Sequence, residues 1–575
     1  MTDSRVWKLP ESAPDPAELA AAWTKVVENG LAAIQAGARP SASLAFDPLA
    51  PARAMFDFQR QLWTNPMSVL QASQAAASEW MELWGATARR AAGQQVEPII
   101  APERGDRRFM DAAWSEDPAF DYLKQAYLLA ARQATELVDE AEGIDEATRT
   151  RAQFFTQAYL GALSPANFAF TNPEAIRRAI DTGSISLLSG LANLLADVAT
   201  DAKLPVRRAS AEFELGKDIA ATPGSVVFQN ELMQLIQYAP TTETVHKRPL
   251  LYVPPLVNKY YLLDLQPKSS LIRWLVGEGH TLFVISWVNP GPELAGKGID
   301  DYLTLGPDAA LDAIAKATGE KSVDLFGFCM GGTLAAMAAA RAKPGRIASL
   351  TTIGSMFDFA NMGQWATFRE PAQVEALEKH LEAQGVMAAH ELQALFSVVR
   401  ANDLIWSSVV SHYLLDKEAP PSDILHWFAD GAHIPKAFLL EWTKRILVAN
   451  ELTGPGALAM ETPAMVISLK DDHVSAWQAT YEGAKLLGPQ TRFLLGGSGH
   501  NAGVINPPSA NKHGFWTNEA MPDSAEDWLE TATRNEGSWW PEWQQWLVRD
   551  GGAKVKARKP KKEIEPAPGS YVRMR

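Results

Sequence analysis

Ser322-Val323-Asp324-Leu325-Phe326-Gly327-Phe328-Cys329-Met330-Gly331-Gly332 is the stretch from which the rest of the chain is read. An apolar, partly β-branched run from Val323 to Phe326 meets Gly-x-Cys-x-Gly, and a small-residue helical pattern from Thr333 to Arg341 follows at once. Strand, sharp turn and helix in that order form a nucleophile elbow, here with cysteine where serine is commoner. Glycines flank such a residue because its backbone is strained and neighbouring chain must come close. Cys329 is the only cysteine in 575 residues. A lone thiol also packs as a small core hydrophobe, so its meaning depends on what stands downstream.

Length points to about three to four domain-sized units. Apolar residues make up 47% and charged residues 21%, the balance of a soluble globular protein. No apolar run of about 18 or more appears, and no charged-then-apolar leader follows Met1, so neither a transmembrane span nor a secretory signal is expected. One cysteine allows no intrachain disulfide, which fits a reducing, cytoplasmic setting. A formal charge of -14 argues against nucleic acid as the main partner. It leaves room for a polyanionic small molecule held by local basic groups.

Roughly the first 200 residues read as helical, and residues 1–205 form an expected N-terminal helical domain, with 1–100 loosely ordered in part. The opening residues and the Pro/Ala/Arg-rich stretch near 37–51 carry that looser texture. Between them, Asp15 caps a helix that Gly30 should end. Further helices are expected over about 67–92, from Phe120, and from Asn172 to about Ala199. No chemistry-bearing pattern is seen there.

After Lys203 the pattern changes, and residues 206–550 form the expected catalytic domain. Ser225–Phe228 and Leu232–Tyr238 read as strands around a polar turn. Leu250–Val253, Thr281–Ser286, Val323–Phe326, Ile347–Ile353, Met465–Leu469 and Arg492–Leu495 are short apolar runs between helical segments. That alternation predicts an α/β class chain with a mostly parallel, doubly wound sheet. Residues 355–455 break the rhythm with helical, aromatic-rich sequence and are expected to be a cap inserted above the strand ends. Trp543, Trp546 and Leu547 share a face of a last helix and should dock it on the body. Residues 551–575, rich in Lys and Arg, read as a solvated basic tail.

In an elbow-bearing sheet the nucleophile, an acid and a histidine follow in that order, each after a strand. Lys470-Asp471-Asp472-His473 follows Met465–Leu469, and Gly496-Gly497-Ser498-Gly499-His500 follows Arg492–Leu495. The joint occurrence singles out Cys329, Asp472 and His500 as a triad, although spacing alone leaves Asp471 open beside Asp472. An imidazole next to the thiol can make the thiolate, and a carboxylate can hold the ring in the useful tautomer. The oxyanion hole needs the N–H of Met330 and one from Val253-Pro254-Pro255-Leu256-Val257-Asn258-Lys259, with Val257 the candidate.

Longer motifs then resemble one family. Val253-Pro254-Pro255 with Asn258-Lys259-Tyr260-Tyr261-Leu262-Leu263-Asp264, Gly327 to Thr333, Gly499-His500-Asn501-Ala502-Gly503-Val504-Ile505-Asn506-Pro507-Pro508, and Ser538-Trp539-Trp540-Pro541 are similar to poly(3-hydroxyalkanoate) synthases of class I. The likeness runs from about Arg108 to Leu547. It implies an α/β-hydrolase fold, Cys329 as acylated nucleophile, His500 as general base and Asp472 as its carboxylate. It implies a homodimer that polymerises short-chain (R)-3-hydroxyacyl-CoA on cytoplasmic polymer granules, with coenzyme A thioester as substrate. No metal-ligand spacing, nucleotide-binding glycine loop or haem motif is seen, so no cofactor or metal is expected. Val288 and Lys470-Asp471 depart from the family pattern. A cysteine-type thioesterase or esterase is the alternative, and a non-catalytic granule-binding protein a remote one. With one thiol per subunit, chain growth would pass either through a CoA-bound intermediate or through the partner's cysteine.

Overall fold

The computed structural model describes residues 15–37, 45–199, 213–417, 421–549, 552–561 and 563–575. They fall into two compact units, Met1–Ala209 with Gln393–Pro420, and Ser210–Leu392 with Pro421–Arg575. The expected loose start and residues 38–44 of the Pro/Ala/Arg-rich stretch lie outside the described residues.

The first unit is built of helices joined by loops, with no strand among its described residues. Its main helices are α1 (Pro16–Gly37), α2 (Ala50–Leu62), α3 (Pro66–Ala91), α4 (Pro118–Glu140), α5 (Glu146–Ala162), α6 (Pro173–Asp181) and α7 (Ile185–Val198). Short polar side chains start several of them: Asp117, Asp145 and Asn172 each accept from N–H groups of the first turn. Two expectations need correction. Gly30 does not end α1, which continues to Gly37; it faces Leu195 of α7, and Asn29 Nδ2 donates to the Ala192 carbonyl nearby. The helix expected from Asn172 to Ala199 is broken at Thr182–Ser184, where Ser184 takes φ 70° and α6 and α7 turn by 111°. Residues 393–417, assigned to the cap from sequence, pack with these helices: Tyr413 donates to Asp197 at 2.7 Å, and Lys417 pairs with Glu174 at 2.6 Å. No single described helix is long and apolar enough to cross a membrane.

The second unit is built on an eleven-stranded sheet. In chain order its strands are β1 (Gly224–Gln229), β2 (Met233–Tyr238), β3 (Leu250–Val253), β4 (Leu282–Trp287), β5 (Val323–Phe328), β6 (Ile347–Ile353), β7 (Ala464–Leu469), β8 (Thr491–Gly496), β9 (Phe515–Thr517), β10 (Thr533–Asn535) and β11 (Glu565–Pro566). The spatial order is β10-β9-β8-β7-β6-β5-β3-β4-β2-β1-β11. From β8 through β4 every pairing is parallel, and the outer pairings are antiparallel. Every residue of β3, β5 and β7 is buried, which is why these strands read as unbroken apolar runs rather than alternating ones. A helix, α8 (Met330–Arg341), leaves β5 without a linker beyond Cys329, and α9 (Trp540–Val548) packs its tryptophans into the core.

The C-terminal stretch departs from its sequence reading as a solvated tail. Glu565–Pro566 extend the sheet beside β1, and Lys554–Lys556 pair antiparallel with Thr244–His246. Arg558 reaches Glu320 at 2.7 Å and the Lys247 carbonyl at 2.8 Å, and Val572 is buried. The body supplies acceptors for the Arg558 charge and strand partners for the backbone, whereas a like-charge block considered alone has neither.

Candidate active site

Strand β5 carries the chain to Phe328, and the next residue, Cys329, takes φ 54° and ψ −133° before α8 begins at Met330. A non-glycine residue in that region costs about 1–3 kcal/mol and persists only when its surroundings impose it. Here the Cys329 N–H donates to the Ile353 carbonyl at 2.9 Å, and its own carbonyl accepts from Gly332 N–H at 2.9 Å. Position 331 must be glycine because a Cβ there would overlap the Val253 carbonyl and the Pro254 backbone. The turn therefore holds the half-buried Cys329 at the carboxyl edge of the sheet, with the loop after β3 against the first turn of α8.

Asp472 stands in the turn after β7. Its Oδ1 accepts from the N–H groups of Val474 (2.8 Å) and Ser475 (2.9 Å), and its Oδ2 lies 2.6 Å from His500 Nδ1. Asp471 is exposed, and its N–H donates to the Ser498 carbonyl. Of the two carboxylates that spacing left open, Asp472 is thus the one on the ring. His473 is exposed, and its carbonyl accepts from the Trp365 indole at 3.1 Å.

His500 sits in a tight turn after β8, closed by Gly503 N–H to the Gly499 carbonyl at 2.7 Å. Two buried tryptophans of the C-terminal region hold that turn: Trp539 Nε1 donates to Gly503 (2.8 Å) and Trp540 Nε1 to Val504 (3.0 Å). The Phe328 ring lies 4.8 Å from the imidazole. At Gly354, where φ is 55°, a Cβ would press to 3.2–3.4 Å on both His500 and Asp472, so the bare backbone is needed there as well. Ser475 Oγ donates to the Gly354 carbonyl at 3.0 Å and ties this wall to the Asp472 turn.

The electrostatics follow from these contacts. Burial is the largest influence on His500 and opposes its charge. The Asp472 carboxylate, hydrogen-bonded to the ring, and the nearby Cys329 sulfur outweigh it and push the imidazole up to about 10. The arrangement favours a proton residing on His500, between a carboxylate and a sulfur.

Met330 opens α8 directly after Cys329, where first-turn N–H groups have no intrahelical acceptor. Val257 lies in the loop after β3, whose Val253 is in register with Gly327 of β5. Trp287 Nε1 donates to the Pro254 carbonyl at 2.9 Å at the near end of that loop. Met330 thus lies at the start of α8 and Val257 in the loop of the neighbouring strand.

The family description "Poly-beta-hydroxybutyrate polymerase (PhaC) N-terminus" matches residues 105–275, and "alpha/beta hydrolase fold" matches residues 260–507. The poly(3-hydroxyalkanoate) polymerase of Methylorubrum extorquens is 41% identical over 89% of this chain and 88% of its own length. The chain belongs to the poly(3-hydroxyalkanoate) polymerase family, a family of acyltransferases. The polymerase subunit PhaC of Rhizobium meliloti (strain 1021) is 38% identical over 89% of the chain and 87% of its own length. That of Cupriavidus necator is 40% identical over 81% and 83%. The sheet, elbow and helical N-terminal region are those of an α/β-hydrolase fold with an added helical unit.

Sequence reasoning for this polymerase-family chain did not identify Ser475, Gly354 or the indole N–H groups of Trp539 and Trp540 as supports of the His500–Asp472 pair. Ser538-Trp539-Trp540-Pro541 is visible as a motif, yet its partners at Gly503 and Val504 are 36 residues away and leave no local trace.

Proposed function

We propose that this chain polymerises (R)-3-hydroxyacyl groups from their coenzyme A thioesters, with Cys329 carrying the growing ester. The observation that carries this reading is the half-buried Cys329 on a strained elbow, its sulfur raising the proton affinity of a buried His500 that Asp472 holds at 2.6 Å. In acylation, the Cys329 sulfur attacks the thioester carbonyl while its proton resides on His500. The N–H groups of Met330 and Val257 take the developing oxyanion. Collapse expels the CoA thiolate, which accepts the His500 proton, so one thioester replaces another. In elongation, neutral His500 takes the proton of a 3-hydroxyl group, whose oxygen attacks acyl-Cys329. An oxoester forms, and the released sulfur recovers a proton from His500. No cofactor enters, because the thioester supplies the activated acyl group.

A single cysteine per chain excludes passage of the polymer between two thiols of one subunit. Growth then runs through a CoA-bound intermediate that returns to Cys329. Short-chain monomers such as 3-hydroxybutyryl-CoA are favoured by the Phe328 and Gly331-Gly332-Thr333 flanks, which are similar to those of class I synthases. The protein works as a homodimer at a cytoplasmic polymer surface. On α1, Trp23, Val27, Leu31 and Ile34 lie at helical spacing and are 52–72% exposed, an apolar stripe suited to such a surface.

Incubation with short and medium 3-hydroxyacyl-CoA, following CoA release beside turbidity, tests this. Insoluble polyester with stoichiometric CoA is expected. Release of free 3-hydroxy acid without polymer would replace polymerisation by thioester hydrolysis.

A further inference from the structure

The loop that carries Val257 is held at two ends, and only one of them belongs to the sheet. At the near end Trp287 bonds the Pro254 carbonyl and Gly331 abuts Pro254. At the far end the chain meets residues 430–432. The Val257 carbonyl accepts from Ala432 N–H at 3.1 Å, and Asn258 forms an antiparallel bridge with Gly431. Directly beside that bridge, Lys259 Nζ donates to Asp430 Oδ1 at 2.6 Å and to the Met574 carbonyl at 3.0 Å. Tyr261 donates to Asp430 Oδ2 at 2.8 Å, and Trp427 Nε1 donates to the Lys259 carbonyl at 2.8 Å. The Lys259 and Asp430 side chains are only 6% and 14% exposed.

A buried ion pair is a poor source of stability, because desolvation of both charges offsets their attraction. Its value here is geometric. The pair fixes the segment 430–432 against residues 257–259, so that of the loop only Pro255 and Leu256 lie between the two anchored ends. Burial lowers the Lys259 affinity for protons, and Asp430 offsets only part of that.

We propose that Lys259 and Asp430 are positioning residues for acyl transfer, holding the Val257 N–H at the oxyanion of the tetrahedral intermediate. This rests on the reading of Cys329 as the acylated nucleophile. Neither side chain touches the reacting atoms; each acts through the backbone of the loop. The Met574 carbonyl extends the clamp to the end of the described chain, so residues far apart in sequence share one mechanical task.

Two reactions of Cys329 separate positioning from general damage. Acyl transfer from 3-hydroxybutyryl-CoA or from p-nitrophenyl butyrate passes through an oxyanion, whereas alkylation by iodoacetamide needs only the thiolate. In Asp430→Asn and Lys259→Met the acylation rate constant should fall about tenfold or more with both acyl donors. KM should stay within about threefold, and the rate and pH midpoint of alkylation should match wild type. Tyr261→Phe keeps both charges and should show the same pattern at about threefold, which retains a test if the charge variants do not fold. Parallel loss of acylation and alkylation, or unchanged acylation in all three variants, would overturn the proposal. A wild type that turns over the ester yet releases no CoA would defeat the polymerase reading alone, and the ester data would still decide the clamp.

Discussion

Two loops leave the carboxyl edge of neighbouring parallel strands, and they are made in opposite ways. After β5, the elbow is determined within about ten residues. Gly327, Cys329 and Gly331 are there, and the single strained residue is fixed by a carbonyl of the adjacent strand. After β3, the loop takes its shape from Trp287, Trp427, Asp430, Ala432 and Met574, the last more than 300 residues away. Local strain writes itself into the sequence as glycine spacing. A loop held by distant partners does not. The chemistry proposed for the site needs both, since the first presents the sulfur and the second would present an oxyanion donor.

The largest expected effect separates the two aspartates that spacing could not. Asp472→Asn should lower acyl transfer about 10⁴-fold, as loss of the orienting carboxylate does in comparable triads. Asp471→Asn, at an exposed position off the ring, should stay near wild type. Equal losses measured by CoA release would show that the whole 470–473 turn, rather than one carboxylate, supports His500.

Next comes the contact where the two loops meet. Gly331→Ala puts a Cβ into the Val253 carbonyl and Pro254, so the loop after β3 must move by a fraction of an ångström or more. A displacement of that order costs about 100-fold in rate. A fall in acylation with little change in iodoacetamide reactivity is expected; if the sulfur loses reactivity equally, the two loops are not separable.

The pH dependence of stability follows from His500. Its proton affinity is raised in the folded protein, from the ordinary 6.5 to about 10. The stabilisation it contributes is therefore complete below about pH 6.5 and is lost as pH rises through about 10. Denaturant unfolding of wild type and His500→Gln should differ most near pH 6 and converge above pH 10. A gap that widened with pH would mean the ring is held neutral.

The smallest effect expected is at Trp539→Phe, which removes the indole N–H from the Gly503 carbonyl in the turn that carries His500. An orphaned buried acceptor costs about 1–3 kcal/mol. Thermal unfolding should register that loss, with a modest decline in acyl transfer alongside.

Much of this molecule was legible because its parallel strands are buried on both faces. Leu250–Val253 and Ile347–Ile353 were readable to the residue, and Val323–Phe326 fell short by only the two residues that enter the elbow. The order Cys329, Asp472, His500 was readable for the same reason, since each follows such a strand. The short edge strands Phe515–Thr517, Thr533–Asn535 and Glu565–Pro566 were not, because two or three residues carry no period. Gly30 misled because glycine next to a packed helix looks like glycine at a helix end. The break at Thr182–Ser184 was missed because the apolar pattern of α6 continues into α7. The basic C-terminal stretch misled because its acceptors, Glu320 and the Lys247 carbonyl among them, come from elsewhere in the fold. Asp430 offered no signal at all, for its partner Lys259 lies 171 residues earlier.

Mass spectrometry of protein quenched in acid during turnover of 3-hydroxybutyryl-CoA, followed by digestion, addresses the acyl-carrying cysteine most directly. The peptide containing Cys329 should gain mass in whole 3-hydroxybutyryl units, with the adduct lost on treatment with neutral hydroxylamine and absent in Cys329→Ala. Polymer formed in the same sample while that peptide stays unmodified, or while the acyl units sit on another residue, would contradict it.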